Sequence, residues 1–226
     1  MTASARLWNW SGGGGWSPPT PELIAVAEAV FRAQSWHVFR TDDPAQARDY
    51  IAGLARPADV VAVHQSRAWE QTGADPALRA KGAIVERYGP DAAAAGGRET
   101  LLAAQIGVPG AVALVAETGS ALIAADDAYG QLVSNLPYTH VVVAPTFKLV
   151  ASLNDGLWLV RRFAERALGR EMPRYLGSVS GPSRTGDIEM IIVQGMHGPG
   201  RVHLVLLDVE PGPEMLGDLP ADLLYP

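Results

Sequence analysis

The strongest constraint in this chain is the alternation of two periodicities. Short apolar runs, each long enough for one buried strand, are separated by stretches whose apolar residues recur at helical spacing. Thr20 before Pro21 reads as an N-cap followed by proline at the first helical position, and Leu23, Ile24, Ala27, Val30 and Phe31 follow on one face. A strand is expected over 36–39. Asp43 and Pro44 repeat the cap-and-proline start, with Ala47, Tyr50, Ile51 and Leu54 as the apolar stripe. Further strands are expected over 60–63, 83–85, 140–144, 190–193 and 202–207, with apolar runs over 111–116 and 121–124. Helices are expected over 99–105 and 148–168, the second carrying Leu149, Leu153, Leu157, Val160, Ala164 and Ala167 on one face. Strands alternating with helices of this length predict an α/β fold, a three-layer α/β/α sandwich around a mainly parallel sheet.

The 226 residues divide into an irregular Gly/Pro-rich head over 1–19, a single α/β domain over 20–208 and an acidic, Pro-rich tail over 209–226. The tail is expected to be irregular and solvated. With 18 Lys and Arg against 24 Asp and Glu, the net charge of −6 argues against non-specific binding to nucleic acid or to an anionic membrane. No apolar run approaches the roughly 18 residues that a spanning helix needs. The opening residues hold no apolar core of a signal peptide, so a cytoplasmic protein is expected. Cysteine is absent, which excludes disulfides, thiolate-held zinc or iron–sulfur clusters and a catalytic thiol.

Three segments rich in glycine, hydroxyls and charge follow apolar runs, the position at which open α/β sheets bind ligands. The first is Glu117, Thr118, Gly119 and Ser120. An acid directly after a buried run lines a pocket or points into water from a hairpin turn, and both readings stand. The second runs from Ser178 through Ser180, Gly181, Pro182, Ser183, Arg184 and Thr185 to Asp187 and Glu189. Hydroxyls, glycine and arginine before a helical turn would suit an anion, with backbone N–H groups and a bidentate guanidinium as donors; a capped turn fits equally. The third is Gly195, Met196, His197, Gly198, Pro199 and Gly200, and histidine is the natural proton-transfer side chain. His197 could join Asp187 and Glu189 around a metal, but a lone loop histidine is the commoner case, and we expect no metal and no cofactor. His37, His64, His140 and His203 lie in or beside strands and are expected to pack there. No HExxH, GxSxG or GxGxxG pattern occurs. Arg161, Arg162, Arg166 and Arg170 gather on the late helix, a pattern that suits a solvated face or a docking surface.

Taken together, these segments and the run from Leu136 and Pro137 to Val143 resemble the lactate-utilisation protein C family, the LUD domain, from about Thr20 to Asp208. The resemblance implies the fold shared by ribose-phosphate isomerases, glucosamine-phosphate deaminases and CoA transferases. It also implies a part in oxidising L-lactate to pyruvate beside iron–sulfur protein subunits. A chain without cysteine would then leave electron transfer to a partner or an added cofactor. Where the family carries an arginine before the leucine-proline turn, this chain reads Asp126, Asp127, Ala128, Tyr129, Gly130 and Gln131.

Three functions follow as expectations. The first is a subunit that holds a small anionic metabolite at loops 117–120, 180–189 and 195–199. Thr118, Gly119, Ser120, Gly181, Ser183, Arg184, Thr185, Asp187, Glu189 and Gly198 would be its binding residues, and His197 its proton donor or acceptor. The second is an isomerase- or CoA-transferase-like enzyme with Glu117 as the catalytic carboxylate. The third is an interaction module docking an acidic partner on the arginine-bearing helix.

Overall fold

The structure, a computed structural model, describes residues 18–64, 66–89, 97–186, 192–195, 197–212, 215–216 and 219–220. The chain runs α1 (Pro21–Ala33), β1 (His37–Thr41), α2 (Pro44–Leu54), β2 (Val60–His64), α3 (Arg67–Thr72), α4 (Ala74–Ala80) and β3 (Ile84–Tyr88). It continues through α5 (Gly97–Leu102), β4 (Ile106–Val108), β5 (Ala111–Val115), β6 (Ser120–Ala125), α6 (Ala128–Asn135) and β7 (Thr139–Pro145). A 3-10 turn (Thr146–Lys148) leads to β8 (Leu149–Val150), α7 (Leu153–Ala167), β9 (Tyr175–Val179), β10 (Arg184–Gly186), β11 (Ile192–Gln194) and β12 (Arg201–Leu207). In the tail, β13 (Met215–Leu216) pairs antiparallel with β14 (Leu219–Pro220), a local order not expected there.

Six strands form one sheet in the order β1-β12-β7-β4-β2-β3, and every pairing in it is parallel. The architecture is the expected α/β type. One face of the sheet (Val61, Val63, Val141, Val143, Val205, Leu207) packs against Ala47 and Ile51 of α2, Trp69 of α3 and Leu78 of α4. The other face (Val142, Ala144, Val202, Leu204, Leu206) packs against Leu23, Ala27 and Phe31 of α1 and against a second layer. That layer contains a four-stranded sheet, β8-β5-β6-β9, with α7 laid on it through Leu159, Val160 and Phe163. Thus the apolar runs at 111–116 and 121–124 do not enter the main sheet. They pair with each other as an antiparallel hairpin whose two strands are buried throughout.

Local chemistry explains the element starts. Thr20 Oγ1 accepts the Leu23 N–H at 3.2 Å, and an Asp43 oxygen accepts the Ala45 N–H at 2.8 Å, each with proline opening the helix behind it. Helix α7 starts at Leu153, five residues later than the expected start at 148. Leu149 and Val150 are taken by the ladder to β5, and Ser152 with Asp155 forms a capping box that fixes the start. Arg184–Gly186 is a strand paired antiparallel with Ile192–Gln194, not the approach to a helical turn.

Candidate functional site

The three segments singled out from sequence are linked in series through residues 180–184. Glu117 is exposed in the β5–β6 turn, and its Oε2 accepts the Leu153 N–H at 3.1 Å. The carboxylate therefore satisfies a donor at the start of α7, where negative charge is favourable. The rest of that turn meets the end of β9 and the exit from α1. Ser120 Oγ bridges the Thr118 hydroxyl at 2.7 Å and the Ser180 hydroxyl at 2.5 Å. The Gly119 carbonyl accepts the Trp36 indole N–H at 3.1 Å. Gly181 lies at φ +103°, and a Cβ there would stand 2.2 Å from the Gln34 carbonyl oxygen. Arg184 reaches across to the Ser35 hydroxyl. These glycines and hydroxyls fasten two turns onto the end of α1 through direct protein contacts.

Ser183, beside Arg184, meets the third segment. The Ser183 N–H donates to the Pro199 carbonyl at 2.8 Å, and the Gly195 N–H donates to the Ser183 carbonyl at 3.0 Å. A Cβ on Gly198 would touch the Ser183 side chain at 3.4 Å. His197 is exposed in this loop. Thr185 sits in β10, whereas Asp187 and Glu189 lie outside the described residues. Gly195 and Gly200 are pressed against the Tyr138 ring. A Cβ would come within 2.9 Å and 2.2 Å of it respectively, so this approach requires glycine.

Tyr138 opens a groove of about 290 Å³ at the amino edge of the main sheet. Thr139 at the start of β7, Arg201 at the start of β12, Ile106 of β4 and Gln105 before it line the groove, together with Arg56 and Asp59 ahead of β2. No carboxylate among the described residues pairs with the guanidinium of Arg56 or Arg201. Asp59 turns an oxygen to the Arg56 backbone N–H at 2.8 Å, and Gln105 Oε1 accepts the Val60 N–H at 2.7 Å. Two open guanidiniums, a phenol and a threonine at one groove can receive a small carboxylate.

The opposite edge carries a constellation that the sequence reading assigned to packing. His64 ends β2, and its Nε2 lies 2.9 Å from Asp127 Oδ2. Asp127 caps α6, its Oδ1 accepting the N–H groups of Tyr129 at 2.7 Å and Gly130 at 2.9 Å. Burial opposes ionisation of this carboxylate, but the His64 contact and the two backbone donors outweigh it and hold its pKa below the ordinary value. The late-helix arginines are largely tied within the chain. Arg161 and Arg162 both donate to Glu165, at 3.0 and 2.9 Å, and Arg162 lies over the Trp158 ring. Arg170 pairs with Asp126 at 3.1 Å.

The LUD domain model matches residues 24–207, most of the chain and nearly all of the α/β layers just described. The chain belongs to the LUD domain family. Among curated relatives, Lactate utilization protein C 1 of Bacillus mycoides is 32% identical over 106 residues, covering 47% of this chain and 44% of that protein. Lactate utilization protein B of Bacillus subtilis is 31% identical over 111 residues, covering 49% of this chain and 22% of that protein. The chain therefore spans less than half the length of these relatives. A DUF162 family protein from Deinococcus radiodurans shares the fold, with a TM-score of 0.54 at 19% identity over 82% of this chain and 96% of that one.

Within this LUD domain, sequence reasoning missed Arg56 and Arg201, which stand alone in loops or at a strand start. It also missed the His64–Asp127 pair, separated by 63 positions.

Proposed function

We propose that this LUD-domain protein serves in lactate utilisation by binding a small anionic metabolite, a 2-hydroxy or 2-oxo carboxylate, in the amino-edge groove. The observation that carries the reading is the pair of arginines, Arg56 and Arg201, lining a groove of about 290 Å³ without a carboxylate partner among the described residues. A guanidinium matches a carboxylate in two parallel hydrogen bonds, and Tyr138 and Thr139 offer hydroxyls for the substituent at carbon 2. The loops with Ser183, Arg184, His197 and Gly198 adjoin the groove through Gly195, Gly200 and Tyr138, so His197 is the rim group suited to proton exchange with the ligand. The names of the relatives support the lactate assignment. In this reading the chain works beside iron–sulfur protein subunits, which carry the electrons that a chain lacking cysteine cannot hold in a thiolate-bound cluster.

Calorimetric titration with L-lactate and with pyruvate tests the assignment. The wild-type chain is expected to bind at least one of them. Arg201→Met should weaken that binding about tenfold or more, the usual worth of a charge-assisted hydrogen bond. Failure of both acids to bind, or equal affinity in Arg201→Met, overturns the groove as the site.

A further inference from the structure

The main sheet changes direction between β2 and β4. From β2 the chain moves outward to β3, then returns inside to β4 and continues through β7 to β12. In open parallel sheets a crevice forms at the carboxyl ends of the strands flanking such a reversal, and ligands bind there. His64 is the last residue of β2, and α6, capped by Asp127, packs over β2 and β4. The His64–Asp127 pair thus occupies the reversal point.

The pair is built rather than incidental. The His64 side chain keeps 8% of its surface accessible and that of Asp127 keeps 19%, so both are largely withdrawn from water. Asp127 is fixed from behind by two helix N–H groups, which leaves Oδ2 to the imidazole. Gly130 lets α6 come this close: a Cβ there would stand 2.2 Å from the Ala125 side chain and 3.3 Å from two atoms of the His64 ring. A carboxylate accepting from Nε2–H holds the neutral ring in one tautomer and leaves the lone pair on Nδ1, the arrangement of an oriented general base.

We propose that His64 is a general base at this crevice, oriented by Asp127, acting on a small carboxylate whose proton lies next to a carbonyl. The choice of an oxo acid as ligand rests on the proposed role in lactate utilisation; the base itself rests on the geometry. In the step, the Nδ1 lone pair takes the proton, the C–H bond breaks and its electron pair forms the enolate. The same proton, or a deuteron after exchange with solvent, returns to carbon. Nothing is oxidised or reduced.

Pyruvate in D2O with the whole chain is the probe, and loss of its methyl signal in proton NMR is the readout. Wild-type protein should exchange the methyl protons faster than buffer alone, and His64→Gln should return the rate to that of buffer. Asp127→Asn should slow exchange at least about tenfold. Its carbonyl keeps the cap while its amide faces Nε2 and drives the proton to Nδ1. Nitrogen-15 shifts of the His64 ring should accordingly show Nε2–H in the wild type and Nδ1–H in Asp127→Asn, a change that a purely structural role would not produce. If His64→Gln fails to fold, the tautomer and the Asp127→Asn rate carry the test. Exchange no faster than buffer, exchange that survives in folded His64→Gln, or an Nδ1–H tautomer in the wild type overturns the proposal. Pyruvate that binds by calorimetry without exchange removes this base and leaves the groove. Exchange that persists in Arg201→Met after calorimetric binding is lost removes the groove and leaves the base.

Discussion

Gly119 and Gly181 stand among hydroxyls and an arginine, and a ligand approaching the backbone would demand glycine there. Close packing of two turns on the end of α1 makes the same demand, and a residue letter does not separate the two causes. The structure ranks them. Gly181, with φ +103° and a backbone oxygen 2.2 Å from any Cβ, has no room to adapt, whereas Gly119 meets its nearest atom, a side-chain carbon of Gln34, at 3.0 Å. Gly181→Ala should therefore lower unfolding free energy by about 2 kcal/mol or more, and Gly119→Ala by less. Urea midpoints of the two variants check the order; equal midpoints would mean that the turn does not need this approach. The same limit hid His64 and Asp127. His64 reads locally as an ordinary strand histidine, Asp127 starts a helix too short to show a periodicity, and their meeting is a property of the fold.

At the scale of elements, caps were legible and register was not. Thr20 with Pro21 and Asp43 with Pro44 mark their helices correctly because the hydrogen bonds that start a helix lie within three residues. The start of α7 was hidden because the apolar stripe runs on through Leu149 and Val150, which belong to a ladder with β5. Periodicity alone cannot tell a helix turn from a short buried strand. The short helices α3, α4 and α6 were missed for want of length, and β10 because three residues, Arg184–Gly186, are too few to show a strand alternation. The capping box makes a direct prediction. Ser152→Ala removes the acceptor of the Asp155 N–H and should destabilise the chain by about 1 kcal/mol, read as a lower melting temperature. Glu117→Gln keeps an oxygen for the Leu153 N–H but loses the charge beside the helix start, so its cost should be smaller. A Glu117→Gln loss larger than that of Ser152→Ala would assign the carboxylate a role beyond the cap.

At the scale of the whole molecule, the alternation of strands and helices identified the parallel α/β architecture but not the strand order. β1 pairs with the distant β12, and the second sheet assembles from segments on both sides of β7. Global burial also sets a pH dependence. His140 is fully buried between its neighbours, its Nδ1–H donating to the Ser134 carbonyl at 3.0 Å, and burial pushes its pKa down to about 4. In the unfolded chain the ring titrates near 6.5. Below that pH the unfolded state takes up a proton that the folded state refuses, so stability should be constant above pH 6.5 and fall as the pH drops towards 4. His203 acts in the same direction, through burial and the positive fields of His37 and Arg201. Urea unfolding at pH 7.5 and pH 5 should show a lower midpoint at pH 5; unchanged midpoints would contradict neutral buried imidazoles.

A small carboxylate held between Arg56 and Arg201 would lie at the amino edge of the sheet. Crystallography of the chain with pyruvate addresses this placement most directly. Ligand density is expected in the groove beside Tyr138, with the carboxylate on a guanidinium of Arg201 or Arg56. Pyruvate bound elsewhere, with this groove filled by solvent alone, would contradict it.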